Sequence, residues 1–415
     1  MPSVYQERDQ LDQLSVELAT MYRGTESRLT ARLLDQVRRG LRQHPDDVVR
    51  ALRLSELRKA AEDEVRRLGL TMPAMADIVL SEAAGLGDAA AQRDLAGVVL
   101  KQESTAVIMQ RQVLGSKRAA EAVAGALVSQ LTTVHPNILR WADDVYRKAT
   151  AQSAQDVLLG VSTSSVAQKT AWQRLVAQGV TGFTDKAGKR WNLGTYVEMS
   201  TRSATRRAWD EQHKQTQLAA GVGLCTIIVG SGACKECSAW SGMILRVDGG
   251  PTGRIKVPSA VDPDKEVWVN VRGTLDDARS HGWRHPNCRC RQVAYLPGLT
   301  AVSDQQSYDP QAEADRARLR ELERQVRAAK ADAEQAVSPT VQAAAKKRVR
   351  ALQGSIREHV ASTGLARQPD RERLITPPPP AKPVTGPSAA DKIRNAATMF
   401  GTGSPQHREA QRRFG

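Results

Sequence analysis

Two groups of sulfur and nitrogen donors stand far apart in the chain. Cys234 and Cys237 form a C-x-x-C directly after Gly230-Ser231-Gly232, and His285, Cys288 and Cys290 form an H-x-x-C-x-C within RHPNCRC. Thiolate and imidazole are the preferred ligands of zinc, which takes four of them in a tetrahedron with Zn–S near ~2.3 Å. The first group can supply two and the second up to three, so one candidate is spare. The intervening stretch, 47 residues from 238 to 284, is too long for a small finger. It suits a structural zinc that staples the two ends of an inserted hairpin and helix. Such an ion would contribute roughly 10–16 kcal/mol of apparent folding free energy. Two blander readings stay open: a redox C-x-x-C, and two tight turns whose soft cysteine side chains fill a core. Cys225 lies in an apolar, β-branched run and is expected in a core, and His281 at a helix end is expected on the surface.

Hydrolytic chemistry at zinc needs an open coordination position and a nearby carboxylate. The sequence contains no H-E-x-x-H, and no H-x-E ahead of P-C-x-x-C, which leaves protease and deaminase readings without their defining residues. It also contains no G-x-x-x-x-G-K-[ST] and no G-x-S-x-G, and Gly221-Val222-Gly223 precedes a strand rather than following one. An HNH-type nuclease would suit the C-x-x-C, H-x-x-C and basic charge, but the adjacent catalytic histidine is missing. Glu236, inside the C-x-x-C, is expected to point outward. The expectation is a chain with no catalytic residues and no enzymatic step.

The elements that must position these donors follow from composition and period. Of 415 residues, 40% are apolar and only 4% aromatic, a balance that favours helices packed through small and aliphatic side chains. The formal net charge is +15. An excess of this size fits a polyanionic neighbour, nucleic acid being the commonest, as well as plain solvation of helix faces. No apolar run is long enough to span a bilayer, so no membrane partner is expected. The charged N-terminus carries no apolar signal segment, so the chain is expected in a reducing cytosol, where paired cysteines suggest metal more than disulfide.

The fold class read from these patterns is mainly α with a small α+β core. Residues 1–130 are expected as a helical scaffold. Leu11, Leu14, Leu18 and Met21 form one stripe and, after Gly24, Leu29, Leu33, Val37 and Leu41 a second. Asp46 and Asp47 would open the next helix, and Gly69 would cap AAEDEVRRLG. The first H-P-N, His135-Pro136-Asn137, has no ligand partner nearby and reads as a helix start with Asn137 as N-cap. Residues 131–300 form the mixed domain. It has a hairpin at 183–193 turning at Ala187-Gly188, then a helix at 195–221 opened by a Thr195/Glu198 capping box and closed by Gly221. Strands follow at 224–229 and 266–271, with a hairpin of 243–247 on 254–257 and a short helix at 274–280 with a Thr274/Asp277 capping box and Gly282 as its stop. Residues 308–364 form a charged helical hairpin with stripes Leu319, Leu322, Val326, Ala329, Ala333 and Ala345, Val349, Leu352, Ile356, its second helix opened by Ser338-Pro339. Residues 376–415 are a Pro-rich linker and a basic disordered tail.

A linear series of residues carries a resemblance. It runs through Gly188 and Trp191, Tyr196-Val197-Glu198-Met199 with Arg202, the Cys234/Cys237 pair, Trp240-Ser241-Gly242, HPNCRC and Tyr295-Leu296-Pro297-Gly298, with REHVASTGLARQPDRE (357–372) beyond. In these the chain resembles phage minor capsid proteins of the Mu F-like head-morphogenesis class, the minor capsid protein 2 group, over about residues 130–372. The resemblance implies a low-copy virion structural component of the head, made in the host cytoplasm. It implies association with the portal vertex or inner capsid surface, with portal and major capsid proteins as partners and packaged DNA as a further contact. A non-specific DNA-binding packaging factor is the alternative. Some members carry histidine where Cys290 stands, which favours Cys290 as a ligand.

Overall fold

The computed structural model describes residues 4–43, 54–96, 120–144, 183–184, 190–191, 193–229, 233–262, 264–286, 288, 290–302, 306–334, 336 and 339–374. The readings made for Asp46, Asp47, the Ala187-Gly188 turn, Ser338, the Pro-rich linker and the tail lie outside them. The described chain is mainly helical with one small mixed sheet.

Helix α1, Val4–Gln43, buries Leu11, Leu14, Leu18, Leu29 and Leu33 along one side. It is continuous through Gly24, where two helices were expected, because the leucine stripe keeps its phase across the glycine and tertiary packing outweighs one weak helix former. Helix α2, Leu54–Leu95, likewise runs through Gly69 and Pro73 instead of stopping at Gly69. Leu68, Met72, Ala76, Val79 and Leu80 continue its buried face past both residues. Helices α3 (120–132) and α4 (135–144) meet at a turn over 133–134. The first H-P-N therefore forms the opening turn of α4, and Asn137 lies inside the helix, accepting from Arg140 at 2.6 Å rather than capping. His135 is buried, with Nε2 3.0 Å from the Tyr22 hydroxyl of α1. Its role is to join two helices of the scaffold.

After the paired strands β1 (Phe183–Thr184) and β2 (Arg190–Trp191) comes helix α5, Leu193–Ala219. Thr195 lies two residues inside it, so no Thr195/Glu198 box opens it. Glu198 instead binds Arg202 at 2.6 Å and pairs with Arg23 of α1. Helices α1, α2 and α5 share one apolar core with α3 and α4. Residues 221 and 222 close α5 with bonds from Gly221 N–H to Leu218 and Val222 N–H to Gln217, the paired pattern of a glycine stop.

The sheet comprises β3 (Leu224–Ile228), β4 (Ile244–Arg246), β5 (Gly253–Pro258), β6 (Glu266–Thr274) and β7 (Arg291–Ala294), in the order β5-β6-β4-β3-β7. The expected hairpin of 243–247 on 254–257 does not form. Instead β4 lies parallel to β6, and β5 pairs antiparallel with β6 from Gly253↔Val271 to Pro258↔Glu266. The nine-residue β6 offers β5 six cross-strand pairs, whereas the three-residue β4 could offer half as many. Asp248 also diverts the chain after β4: it binds Arg246 at 2.6 Å and accepts from Gly250 N–H at 3.1 Å. A one-turn helix, α6 (Lys235–Ser238), follows β3, and α7 (Leu275–Ser280) follows β6. Helices α8 (Pro310–Glu334) and α9 (Pro339–Thr363) form the terminal hairpin, closed by Leu319, Leu322 and Val326 against Ile356. No helix among the described residues is long and apolar enough to cross a membrane.

Candidate metal centre

Local chemistry builds each half of the site. In the first, Cys234 has extended backbone and caps the single turn of α6, its Sγ accepting from the Cys237 N–H at 3.4 Å. A bond from Ser238 N–H to the Cys234 carbonyl (2.9 Å) closes the turn. One helical turn with a sulfur at its cap and another three residues on puts both thiols on the same side. Gly242 N–H then returns to the Ile227 carbonyl at 3.2 Å, tying this turn to the end of β3.

The second half hangs on α7. Its capping box is complete, with Asp277 N–H to Thr274 Oγ1 at 3.0 Å and Thr274 N–H to Asp277 Oδ2 at 2.7 Å. The helix stops through Gly282, whose φ of +94° suits a residue without Cβ. A Cβ there would also sit 2.9 Å from the Cγ of Glu236. Arg284 then takes φ +67°, the one positive φ on a non-glycine residue among those described, and turns the chain sharply at the first donor. Such a conformation persists only where the surroundings over-determine it. Here they do. The Arg284 guanidinium lies 4.8 Å over the Trp283 ring and donates to the Cys290 carbonyl and to Asp210 of α5. Burial works against its charge, but Asp210 and the neighbouring cysteines more than compensate, so the group is held above its ordinary value.

The two halves meet. Sγ of Cys234 is 3.1 Å from Nε2 of His285, and Sγ of Cys237 is 3.5 Å from Sγ of Cys288. The donors fall into two trios, Cys234–Cys237–His285 and Cys237–Cys288–Cys290, each within 4.8 Å, and Cys237 belongs to both. In a zinc tetrahedron with Zn–S of ~2.3 Å, ligand sulfurs stand about 3.8 Å apart, and the 3.5 Å between Cys237 and Cys288 is close to that spacing. The His285 Nδ1 donates to the Pro286 carbonyl at 2.9 Å, which turns Nε2 toward Cys234. A metal-binding histidine is oriented in this way. Cys237, Cys288 and Cys290 are buried within the sheet's apolar core beside Trp283, while Cys234 and His285 are half-exposed. Hydrogen bonds from Cys237 and Cys290 hold the Cys288 thiol below its ordinary value, with Arg284 assisting. Cys237 is raised because it keeps the bridging proton toward Cys288. The group can hold a metal ion.

The remaining candidates fall elsewhere. Cys225 is wholly buried in the same core, where burial pushes its thiol up to about 12. His281 and Glu236 are exposed. A polar junction that sequence reasoning missed fixes the site to the helices. His213 of α5 is fully buried, with Nε2 2.9 Å from Asp94 of α2 and Nδ1 3.3 Å from the Gln292 amide of β7. Gln292 also donates to the Asp210 carbonyl at 2.8 Å, and Asp94 accepts the Ala294 N–H at 3.1 Å. The Asp210–Arg284 pair completes this junction. The only sequence signal was an excess of polar residues on the inner side of α5.

Neither curated proteins nor solved structures give a match. A family model described as phage minor capsid protein 2 matches residues 7–361, which includes the N-terminal helices that the residue-by-residue resemblance did not reach. With that match covering most of its length, the chain belongs to the phage minor capsid protein 2 family.

Proposed function

We propose that this phage head structural protein is a low-copy, non-enzymatic adaptor in virion assembly. It would be seated at the portal vertex or inner capsid surface, where it contacts portal and major capsid proteins. The family match over residues 7–361 carries the head role. Mass spectrometry of purified virions tests the rest: a few copies per head, cross-linked to portal protein, are expected. Absence from virions, or a copy number near that of the major capsid protein, refutes it.

In this reading the cysteine–histidine centre carries a structural zinc. The donor set supports that role, because thiolate and imidazole are the ligands zinc prefers and the two donor trios join at Cys237. Zinc would supply a fixed cross-link between α6 and the turn after α7; Cys234, Cys237, Cys288, His285 and Cys290 are the residues that would hold it. Elemental analysis of protein purified without added metal should give about one zinc per chain, and less than about 0.2 leaves a cysteine-packed core instead. Plasmid incubated with the protein and Mg²⁺ or Mn²⁺ should stay intact; nicking would mean a metal-dependent nuclease.

The net charge of +15 favours a second contact, with packaged double-stranded DNA through non-specific phosphate binding. Gel shifts across a salt series test it, and no shift at low salt removes it.

A further inference from the structure

The two-stranded ribbon β5–β6 has two unlike faces. On one, Ile255, Val257, Val267, Val269 and Val271 pack into a core with Leu224. On the other, Arg254, Lys256, Trp268, Asn270 and Arg272 all stand exposed. The register sets Lys256 directly opposite Trp268 and Arg254 opposite Asn270. Trp268 is 57% exposed, a large aromatic in water where the alternation of the strand had room for a small polar residue. The Arg254 guanidinium lies 4.8 Å from its ring centroid and the Lys256 ammonium 5.5 Å. The indole therefore holds two cations in place on a ribbon at the sheet's edge. One acid, Glu266, stands at the end of this face, 3.3 Å from Lys256, and both groups are more than half exposed, so water and salt weaken the pair.

We infer that this face of the β5–β6 ribbon is a docking surface for the phosphate backbone of double-stranded DNA, with Arg254, Lys256 and Arg272 as phosphate contacts and Trp268 as the platform that orders two of them. The inference rests on the DNA contact proposed above and assigns it a place. Charge complementarity selects this partner, since three cations face outward against one carboxylate. Cations already ordered against an aromatic ring lose less freedom on binding than free side chains do.

The test uses the full chain and a labelled random-sequence duplex, with affinity measured across a salt series. Neutralising three phosphate contacts in Arg254→Gln/Lys256→Gln/Arg272→Gln should weaken binding and lower the slope of log affinity against log salt by about 2.7, at ~0.9 per contact. Lys346→Gln/Lys347→Gln/Arg350→Gln removes the same charge from exposed positions of α9 and should change the slope far less. Trp268→Ala removes no charge. It should weaken binding about two- to fivefold, the equivalent of an exposed cation–π contact, and leave the slope unchanged. All seven positions are exposed, so the variants should unfold as the wild type does. If the wild type binds while the ribbon variant matches it, or loses no more than the α9 variant, the ribbon assignment is wrong and the DNA contact stands. No wild-type binding at low salt overturns both. Ribbon variants that bind DNA normally but fail to enter virions would make the face a protein contact and overturn the assignment.

Discussion

Two glycines two residues apart on α2 should respond oppositely to the same substitution. A Cβ on Gly87 would lie 2.3 Å from the Trp209 carbonyl oxygen of α5 and 3.0 Å from its carbonyl carbon and Cα. These are backbone atoms in the middle of a 27-residue helix, so no side chain can swing aside. Ordinary contact is about 3.4 Å, so α2 and α5 would have to separate by about 1 Å. That would strain the whole seam, including the Trp209–His213 ring stack at 4.9 Å and the Asp94–His213 bond. Overpacking of this kind costs about 1–3 kcal/mol, occasionally more, against about 1 kcal/mol gained from replacing glycine in a helix. Gly87→Ala should therefore destabilise by up to about 2 kcal/mol and lower Tm by several degrees. Gly85 is exposed, and its Cβ would meet nothing within 4 Å, so Gly85→Ala should stabilise by about 0.5–1 kcal/mol. Denaturant unfolding of both variants beside the wild type decides the matter. If Gly87→Ala proves as stable as Gly85→Ala, the two helices do not approach this closely and the scaffold is drawn wrongly.

Asp210→Ala should destabilise by about 3–5 kcal/mol, because it leaves the Arg284 guanidinium buried without its carboxylate; unfolding in urea would show it, and a loss under 1 kcal/mol would mean that Arg284 reaches solvent. Cys237→Ser removes the donor common to both trios and should abolish zinc retention, whereas Cys225→Ser should keep zinc and cost only packing; elemental analysis separates them. Burial pushes the Glu198 carboxyl up, but Arg23 and Arg202 outweigh it and hold it below the ordinary 4.5. A carboxyl depressed in the fold lends stability above that value and loses it as pH falls through the depressed one. Glu198→Gln should therefore cost stability at pH 7 and progressively less below pH 4.5, and an equal cost at both ends would refute the ion pairing. Thr274→Ala breaks the capping box of α7 and should cost about 1 kcal/mol, visible as a lower urea midpoint with unchanged slope.

Local chemistry was legible where the controlling interaction lay within a few residues. The Thr274/Asp277 box, the stops at Gly221 and Gly282 and the buried stripe of α8 needed only short spacings and are present. Boundaries failed where a distant surface outweighed the local signal. Gly24 and Gly69 carry local punctuation, yet the apolar stripes on either side keep phase and pack against α5, so the helices run on. Asn137 reads as a cap until His135 is seen to be drawn into the helix by Tyr22, more than a hundred residues earlier. Strand pairing failed for the same reason. The DGGPTG turn invites a hairpin, but β5 gains more from the longer β6, a comparison that spacing alone cannot make.

The donor cluster shows why both kinds of information are needed. Each half is a local motif: a capped single turn carries Cys234 and Cys237, and a glycine-stopped helix leads into His285 and Cys288. Their meeting depends on the sheet. The strand β3 delivers the first half, while α7, joined to the end of β6, delivers the second, and β4 lies between these strands. A short three-residue spacer strand cannot fix that distance unaided. The Asp210–Arg284 pair and the Gln292 amide add the missing constraint by fastening the second half and β7 to α5. The long helix thus acts as a rail against which the donors are set: Arg284, just before His285, is bound to the Asp210 carboxylate, and Gln292, two residues after Cys290, donates to the Asp210 carbonyl.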